Sequence, residues 1–186
     1  MIRDLGIVLH HGINSGRELS QYARLAENSR FSSLWLTERY FHEETFSVLG
    51  YIAAVTNSIK LGVGVVNPFT RNLALLGMAT ATLDRISGGR FILGLGRSER
   101  SVIEDKMGIS YDGSSIILEN SVQILRDILS GQVVEKGDNL FNLKDINLSI
   151  KPVQTKVPIY LAAIGPMALR QAGSIADGVI LNAYVS

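Results

Sequence analysis

The sequence predicts an α/β fold, a parallel sheet covered by helices. Three observations carry this. Short apolar runs alternate with amphipathic stretches from one end of the chain to the other, and strand-then-helix alternation builds parallel sheets. The apolar runs lack polar alternation, as strands buried on both faces do. Polar and glycine residues gather just after the runs, where parallel α/β folds place their sites. With 186 residues, 46% hydrophobic and 19% charged, the expected organisation is one domain over 1–186. Two architectures meet these observations: an open doubly wound sheet and a (β/α) barrel. A full barrel takes about 250 residues and about eight units. A barrel here is therefore expected to be incomplete, with about six of its eight strands.

The elements follow in order. Leu5–Leu9 reads as a buried strand. Arg17–Arg30 reads as a helix, with Leu19, Tyr22, Ala23 and Ala26 on one face. Leu34–Thr37 is the second strand and Phe46–Thr56 the second helix. Lys60–Val66 is the third strand. The third helix, Leu73–Ile86, is expected to bury Leu75, Ala79, Leu83 and Ile86, and Ser87-Gly88-Gly89 ends it because glycine accepts a left-handed cap. Phe91–Leu95 is the fourth strand. Ser115–Leu129 is the fourth helix, with Leu118, Val122, Leu125 and Leu129 in line. Residues 132–150 break the rhythm and read as a hairpin insertion, turning at Lys136-Gly137-Asp138-Asn139. Val157–Ala163, Pro166–Ile175 and Gly178–Leu181 resume as strand, helix and strand.

Composition narrows the function. The 18 basic and 17 acidic residues leave a net charge of +1, with no bias toward nucleic acid or a membrane surface. No apolar run approaches the roughly 18 residues that span a bilayer. The opening Met1-Ile2-Arg3-Asp4 lacks the charged-then-apolar order of a signal peptide, so the expected location is cytoplasmic. The chain has no cysteine, which excludes disulfides, thiolate metal sites and cysteine nucleophiles. His10, His11 and His42 have no carboxylate at metal-ligand spacing, so no metal site is expected. Gly94-Leu95-Gly96 lacks the third glycine of a dinucleotide loop, since Glu99 stands there, and it follows the fourth strand rather than the first. Gly62 and Gly64 sit inside a β-branched strand, where glycine weakens pairing unless something approaches closely.

Several runs together carry a resemblance: Trp35–Phe41 (WLTERYF), Gly62–Arg71 (GVGVVNPFTR), Leu83–Gly96 (LDRISGGRFILGLG), Lys106-Met107-Gly108 and Val157–Pro166 (VPIYLAAIGP). They resemble the bacterial luciferase-like superfamily, and within it the methylenetetrahydromethanopterin reductase-like branch that uses the deazaflavin coenzyme F420. The resemblance implies a TIM barrel of the luciferase-like type and a chain that stops short of the last βα units. It implies a non-prolyl cis peptide at Gly64–Val65, behind the (deaza)flavin ring. It matches Glu38 to an acid beside the ring, with Arg39 replacing the usual histidine. Glu99 matches a carboxylate near the reactive carbon, and Asn67 a polar contact at the ring edge. Ala162, Ala163 and Gly165 match the backbone that receives the cofactor phosphate; the residues themselves add that Pro166 opens a helix, whose first-turn amides at Met167 and Ala168 are expected to point with Gly165 at one spot. His10 joins the cofactor-binding set.

The activity so implied is hydride transfer between reduced coenzyme F420 and a small organic substrate, with Glu99 and Glu38 as the catalytic acids. An FMN-dependent monooxygenase and a non-catalytic flavin-binding or structural remnant are the rival readings. Six strands cannot close an eight-stranded barrel, so open sheet edges and a homo-oligomer are expected.

Overall fold

The computed structural model describes residues 4–10, 12–137 and 141–182. His11, Asp138 and Asn139 of the expected turn, and Leu140 lie outside the described residues.

The elements in chain order are β1 (Gly6–Leu9), α1 (Gly16–Asn28), β2 (Ser33–Leu36), α2 (Thr45–Val55), β3 (Lys60–Val63), α3 (Leu73–Ser87), β4 (Phe91–Leu95), a π-helical turn (Ser101–Lys106), α4 (Ser114–Ser130), β5 (Val134–Gly137), β6 (Asn142–Ile146), β7 (Ile159–Ala162), α5 (Pro166–Ile175) and β8 (Gly178–Ile180). Six strands form one parallel sheet in the order β1-β2-β3-β4-β7-β8. Each strand lies beside its predecessor in the sheet, without the reversal of order that marks a doubly wound fold. The sheet curls into a half-barrel, and side chains of β1 and β8 line one trough on its concave side. Among the described residues β1 and β8 each keep an open edge. β5 and β6 pair antiparallel as the expected hairpin insertion.

The core lies between the convex face of the sheet and the helices. Leu34, Leu36, Leu61, Val63, Phe91, Leu93, Ile159 and Leu161 point outward from the strands. They meet Leu19, Ala23, Leu49, Ile52, Leu76, Leu118, Val122 and Leu125. The alternate strand positions face the hollow of the half-barrel. There Trp35 and Tyr160 lie with ring centroids 5.7 Å apart. Gly62 makes room for them: a Cβ there would sit 2.3 Å from the Trp35 ring. A Cβ on Gly94 would sit 2.0 Å from the Val63 carbonyl oxygen, and one on Gly96 would sit 2.5 Å from Val65. These glycines let β4 pass close to β3 and serve packing rather than a phosphate.

Three expectations need correction. The first strand is not buried: Leu5 and Val8 are exposed, because β1 is an edge of the sheet among the described residues. The stripe expected to be buried on α3 is largely its outer face. Leu75 and Ile86 are exposed, Ala79 is half-buried, and only Leu83 is buried. The helix instead buries Leu73, Leu76, Gly77, Thr80, Ala81, Asp84 and Ser87 along with Leu83. The reason is close approach, since a Cβ on Gly77 would sit 2.7 Å from Ile128 of α4. On α1, Tyr22 is exposed and donates to Glu18 Oε1 at 2.8 Å, while Leu19, Ala23 and Ala26 are buried as expected. Gly88 caps α3 at φ 68°, as expected.

Two charged residues of the Leu83–Gly96 run hold the fold. The buried Asp84 carboxylate accepts from Val153 N (2.6 Å), Gln154 N (3.0 Å) and Gln154 Nε2 (2.6 Å), which anchors the chain as it returns from the hairpin. Arg90 donates to Ala53 O and Thr56 O at the end of α2 (both 3.1 Å), to Ile59 O (2.9 Å) and to Ser87 O (2.5 Å). A cation there satisfies orphan carbonyls at a helix C-terminus.

Candidate active site

The loops after β1, β2, β3 and β4 enclose a cleft of about 710 Å³ at the carboxyl ends of the strands. It adjoins an apolar trough of about 610 Å³ inside the half-barrel, walled by Val8, Trp35, Tyr160 and Ile180. His10, Thr37, Gly64, Val65 and Asn182 line both spaces. The Gly64–Val65 peptide is cis and lies at their junction. Beyond it Val66 bridges to Leu95, so β3 resumes contact with β4 past the cis bond.

The tip of β2 is tied down on both sides. Thr37 Oγ1 donates to the His10 carbonyl at 2.8 Å, which fixes the tips of β1 and β2 together. Glu38 is mostly buried and fully engaged. Its Oε1 accepts from Arg71 Nε (3.1 Å) and Nη2 (2.7 Å), and its Oε2 accepts from Thr45 Oγ1 at 2.5 Å. Arg71 also reaches Glu44 Oε1 at 2.6 Å and lies over the Phe46 ring. Burial works against the Arg71 charge, but the two carboxylates outweigh it and raise its pKa above the ordinary value. Burial pulls the Glu44 pKa upward, and hydrogen bonds from Ser47, Arg71 and Phe46 bring it below the ordinary value.

Asn67 is buried, and its Oδ1 accepts from Phe69 N (2.9 Å) and Thr70 N (3.0 Å). Its amide nitrogen is therefore the donor to the Tyr40 hydroxyl. Burial raises the Tyr40 pKa, the Glu38 charge adds to the rise, and hydrogen bonds to Ser98 and Thr70 oppose it. Glu99 and Ser98 follow β4, and Val102 and Lys106 of the π-helical turn close that side of the cleft. Among the described residues the Glu99 side chain has no hydrogen-bond or ion-pair partner.

Six of the expected residues therefore meet in one cleft: His10, Glu38, Gly64, Val65, Asn67 and Glu99. Ala162 lines the trough. Ala163 does not join them. It is buried on the convex side, and its N–H donates to Ile180 O at 3.1 Å. That amide is not free for a phosphate. Gly165 lies beyond both spaces as the N-cap of α5, at φ 86°, with open space where a Cβ would stand. Proline at the first turn and the absence of a side-chain cap leave the start of α5 uncapped. The expectations missed Trp35, Tyr160, Asn182, Val102 and Lys106. Among the described residues no group of three or more His, Asp or Glu could hold a metal ion. None of their helices is long and apolar enough to cross a membrane.

Comparison with known proteins adds the family. A 5,10-methylenetetrahydromethanopterin reductase of Methanolobus tindarius is 39% identical over 166 residues, covering 89% of this chain and 50% of the relative. An F420-dependent glucose-6-phosphate dehydrogenase of Kineococcus radiotolerans is 31% identical over 175 residues, covering 88% of this chain and 51% of the relative. The structure of the coenzyme F420-dependent tetrahydromethanopterin reductase of Methanopyrus kandleri superposes with a TM-score of 0.87 at 29% identity. That match covers 96% of this chain and 55% of the other. The chain thus spans about half the length of these relatives. The family model described as luciferase-like monooxygenase matches residues 4–186. The incomplete (β/α) barrel with its cleft at the strand tips belongs to the luciferase-like monooxygenase family.

Proposed function

We propose that this chain carries the cofactor and hydride-transfer site of a coenzyme F420-dependent oxidoreductase acting on a small organic substrate, as in the methylenetetrahydromethanopterin reductases it is similar to. The observation that carries the reading is Glu99, whose carboxylate has no partner among the described residues and shares one cleft with the Gly64–Val65 peptide.

The residues present fit the cofactor. A polar cleft opening into an apolar trough suits a flat heteroaromatic ring with a polar tail. A Cβ on Gly64 would meet only Trp35, at 3.7 Å, so that wall is open to a ring. Gly64, Val65 and His10 would hold the ring, with Asn67 shaping the cleft edge through its turn. The uncapped first turn of α5, at Gly165 and Met167, together with Ala162, would receive the phosphate. When bound, reduced coenzyme F420 supplies the hydride. Glu99 holds or moves the accompanying proton at its carboxylate. Glu38, with both oxygens already accepting, keeps Arg71 and the β2 tip in place instead of exchanging a proton.

The family's monooxygenase description supports a monooxygenase as the second reading, for which FMN is the expected cofactor. Incubation with each cofactor, followed by gel filtration and absorbance, tests the reading. A retained deazaflavin band supports it, retained FMN alone favours the monooxygenase, and retention of neither overturns both. We propose in addition a homo-oligomer, on the strength of the edges of β1 and β8 that are open among the described residues and the outward Leu75, Met78 and Ile86, and a cytoplasmic location, which the cysteine-free sequence suits.

A further inference from the structure

We propose that Arg39 and Lys106 form an anion subsite in the cleft, so that the substrate carries a carboxylate or phosphate group. This rests on the reading of the cleft as a cofactor and substrate site.

The two cations reach the cleft from different elements. Arg39 follows β2, and Lys106 ends the π-helical turn after β4. Neither side chain has a hydrogen bond or ion pair among the described residues. Of the acids on the same loops, Glu99 shares the cleft, Asp105 precedes Lys106 but is not part of the cleft lining, and three others are engaged with different cations. Glu38 and Glu44 hold Arg71. Glu104 accepts from Arg100 at 2.8 Å and from Tyr111 N at 3.1 Å. Among the described residues the cleft therefore presents two cations without ion pairs, Arg39 and Lys106, and one such acid, Glu99, with Glu38 neutralised by its partner.

A concave wall focuses such a charge excess and draws anions to it. The guanidinium fork suits a planar carboxylate or a phosphate, and an ammonium adds a second, flexible donor. An anionic group held by these cations keeps the rest of the substrate in the cleft that Glu99 and the Gly64–Val65 peptide also line. Coenzyme F420 is itself anionic, so the same cations could serve its tail. The test separates these two sources.

Glutarate and its neutral analogue glutaramide are titrated into the full chain, free and loaded with coenzyme F420, for the parent, Arg39→Gln, Lys106→Gln and the double variant. Coenzyme F420 affinity is measured in parallel. Each single variant is expected to weaken glutarate about tenfold and the double variant about a hundredfold, since each removes a charge-assisted hydrogen bond. Glutaramide and coenzyme F420 affinities are expected to stay within about twofold. Glutarate bound no better than glutaramide, or equally by parent and double variant, overturns the subsite. A matching loss of coenzyme F420 affinity also overturns it, by assigning the cations to the cofactor. A parent that binds no coenzyme F420 but binds glutarate through Arg39 and Lys106 leaves the subsite standing and removes the proposed function.

Discussion

Glu99 and Glu38 are both carboxylates at strand tips, and their surroundings separate their roles. The Glu38 carboxylate accepts three hydrogen bonds from Arg71 and Thr45, whereas that of Glu99 accepts none among the described residues. A group free to exchange a proton suits acid–base work, and a saturated one suits positioning. Glu99→Gln keeps the shape and removes the proton function. It is expected to lower turnover about 10²–10⁴-fold with little change in cofactor affinity, as steady-state kinetics and cofactor titration measure. A different carboxylate governs stability. Glu27 Oε1 accepts from Asn57 N (2.9 Å), Ser58 N (2.6 Å) and Ile59 N (3.0 Å), pinning the entry to β3. Burial opposes its charge, but those backbone bonds prevail and bring its pKa from 4.5 down to about 2. A depressed carboxylate stabilises the fold above its unfolded pKa, and the contribution is lost as pH falls from about 4.5 through about 2. Glu27→Gln is expected to cost about 1–2 kcal/mol at pH 7 in urea denaturation. The gap between parent and variant is expected to narrow at about pH 3.

At the scale of elements, Arg90 joins the end of α2 to the start of β3 and the end of α3. Lysine cannot reproduce that fork, so Arg90→Lys is expected to lose about 2–3 kcal/mol, read as a lower urea midpoint. Strands, helices and hairpin were legible in the sequence because the apolar runs and the glycine stop at Gly88 are local signals. The buried face of α3 was not. Its sequence LALLGMATATL is apolar nearly all round, so more than one stripe fits the helical period, and Gly77 against Ile128 decides between them. The π-helical turn was illegible for a related reason: six residues are too few to show a period. With it went Val102 and Lys106 as cleft residues. The strand tips pointed to most of the cleft. Ala163 failed because β7 is apolar on both faces, and alternation then gives no clue to which residues face the helices.

At the scale of the molecule, the six strands leave two edges open among the described residues, and α3 turns Leu75, Met78 and Ile86 outward. Unpaired edge amides beside apolar surface favour association. Light scattering at tens of micromolar is expected to give a mass of at least two chains, and a monodisperse monomer contradicts the proposed oligomer. The larger claim is that the hollow and its cleft take coenzyme F420. Trp35, the single tryptophan of the chain, lines that hollow beside Tyr160. Titration with coenzyme F420 while following Trp35 emission tests the claim most directly. Saturable quenching is expected, and Gly165→Asp is expected to abolish it, because a carboxylate at the start of α5 repels the phosphate. Emission unchanged by coenzyme F420 beyond simple absorption of the light, or equal saturable quenching in Gly165→Asp, contradicts the claim.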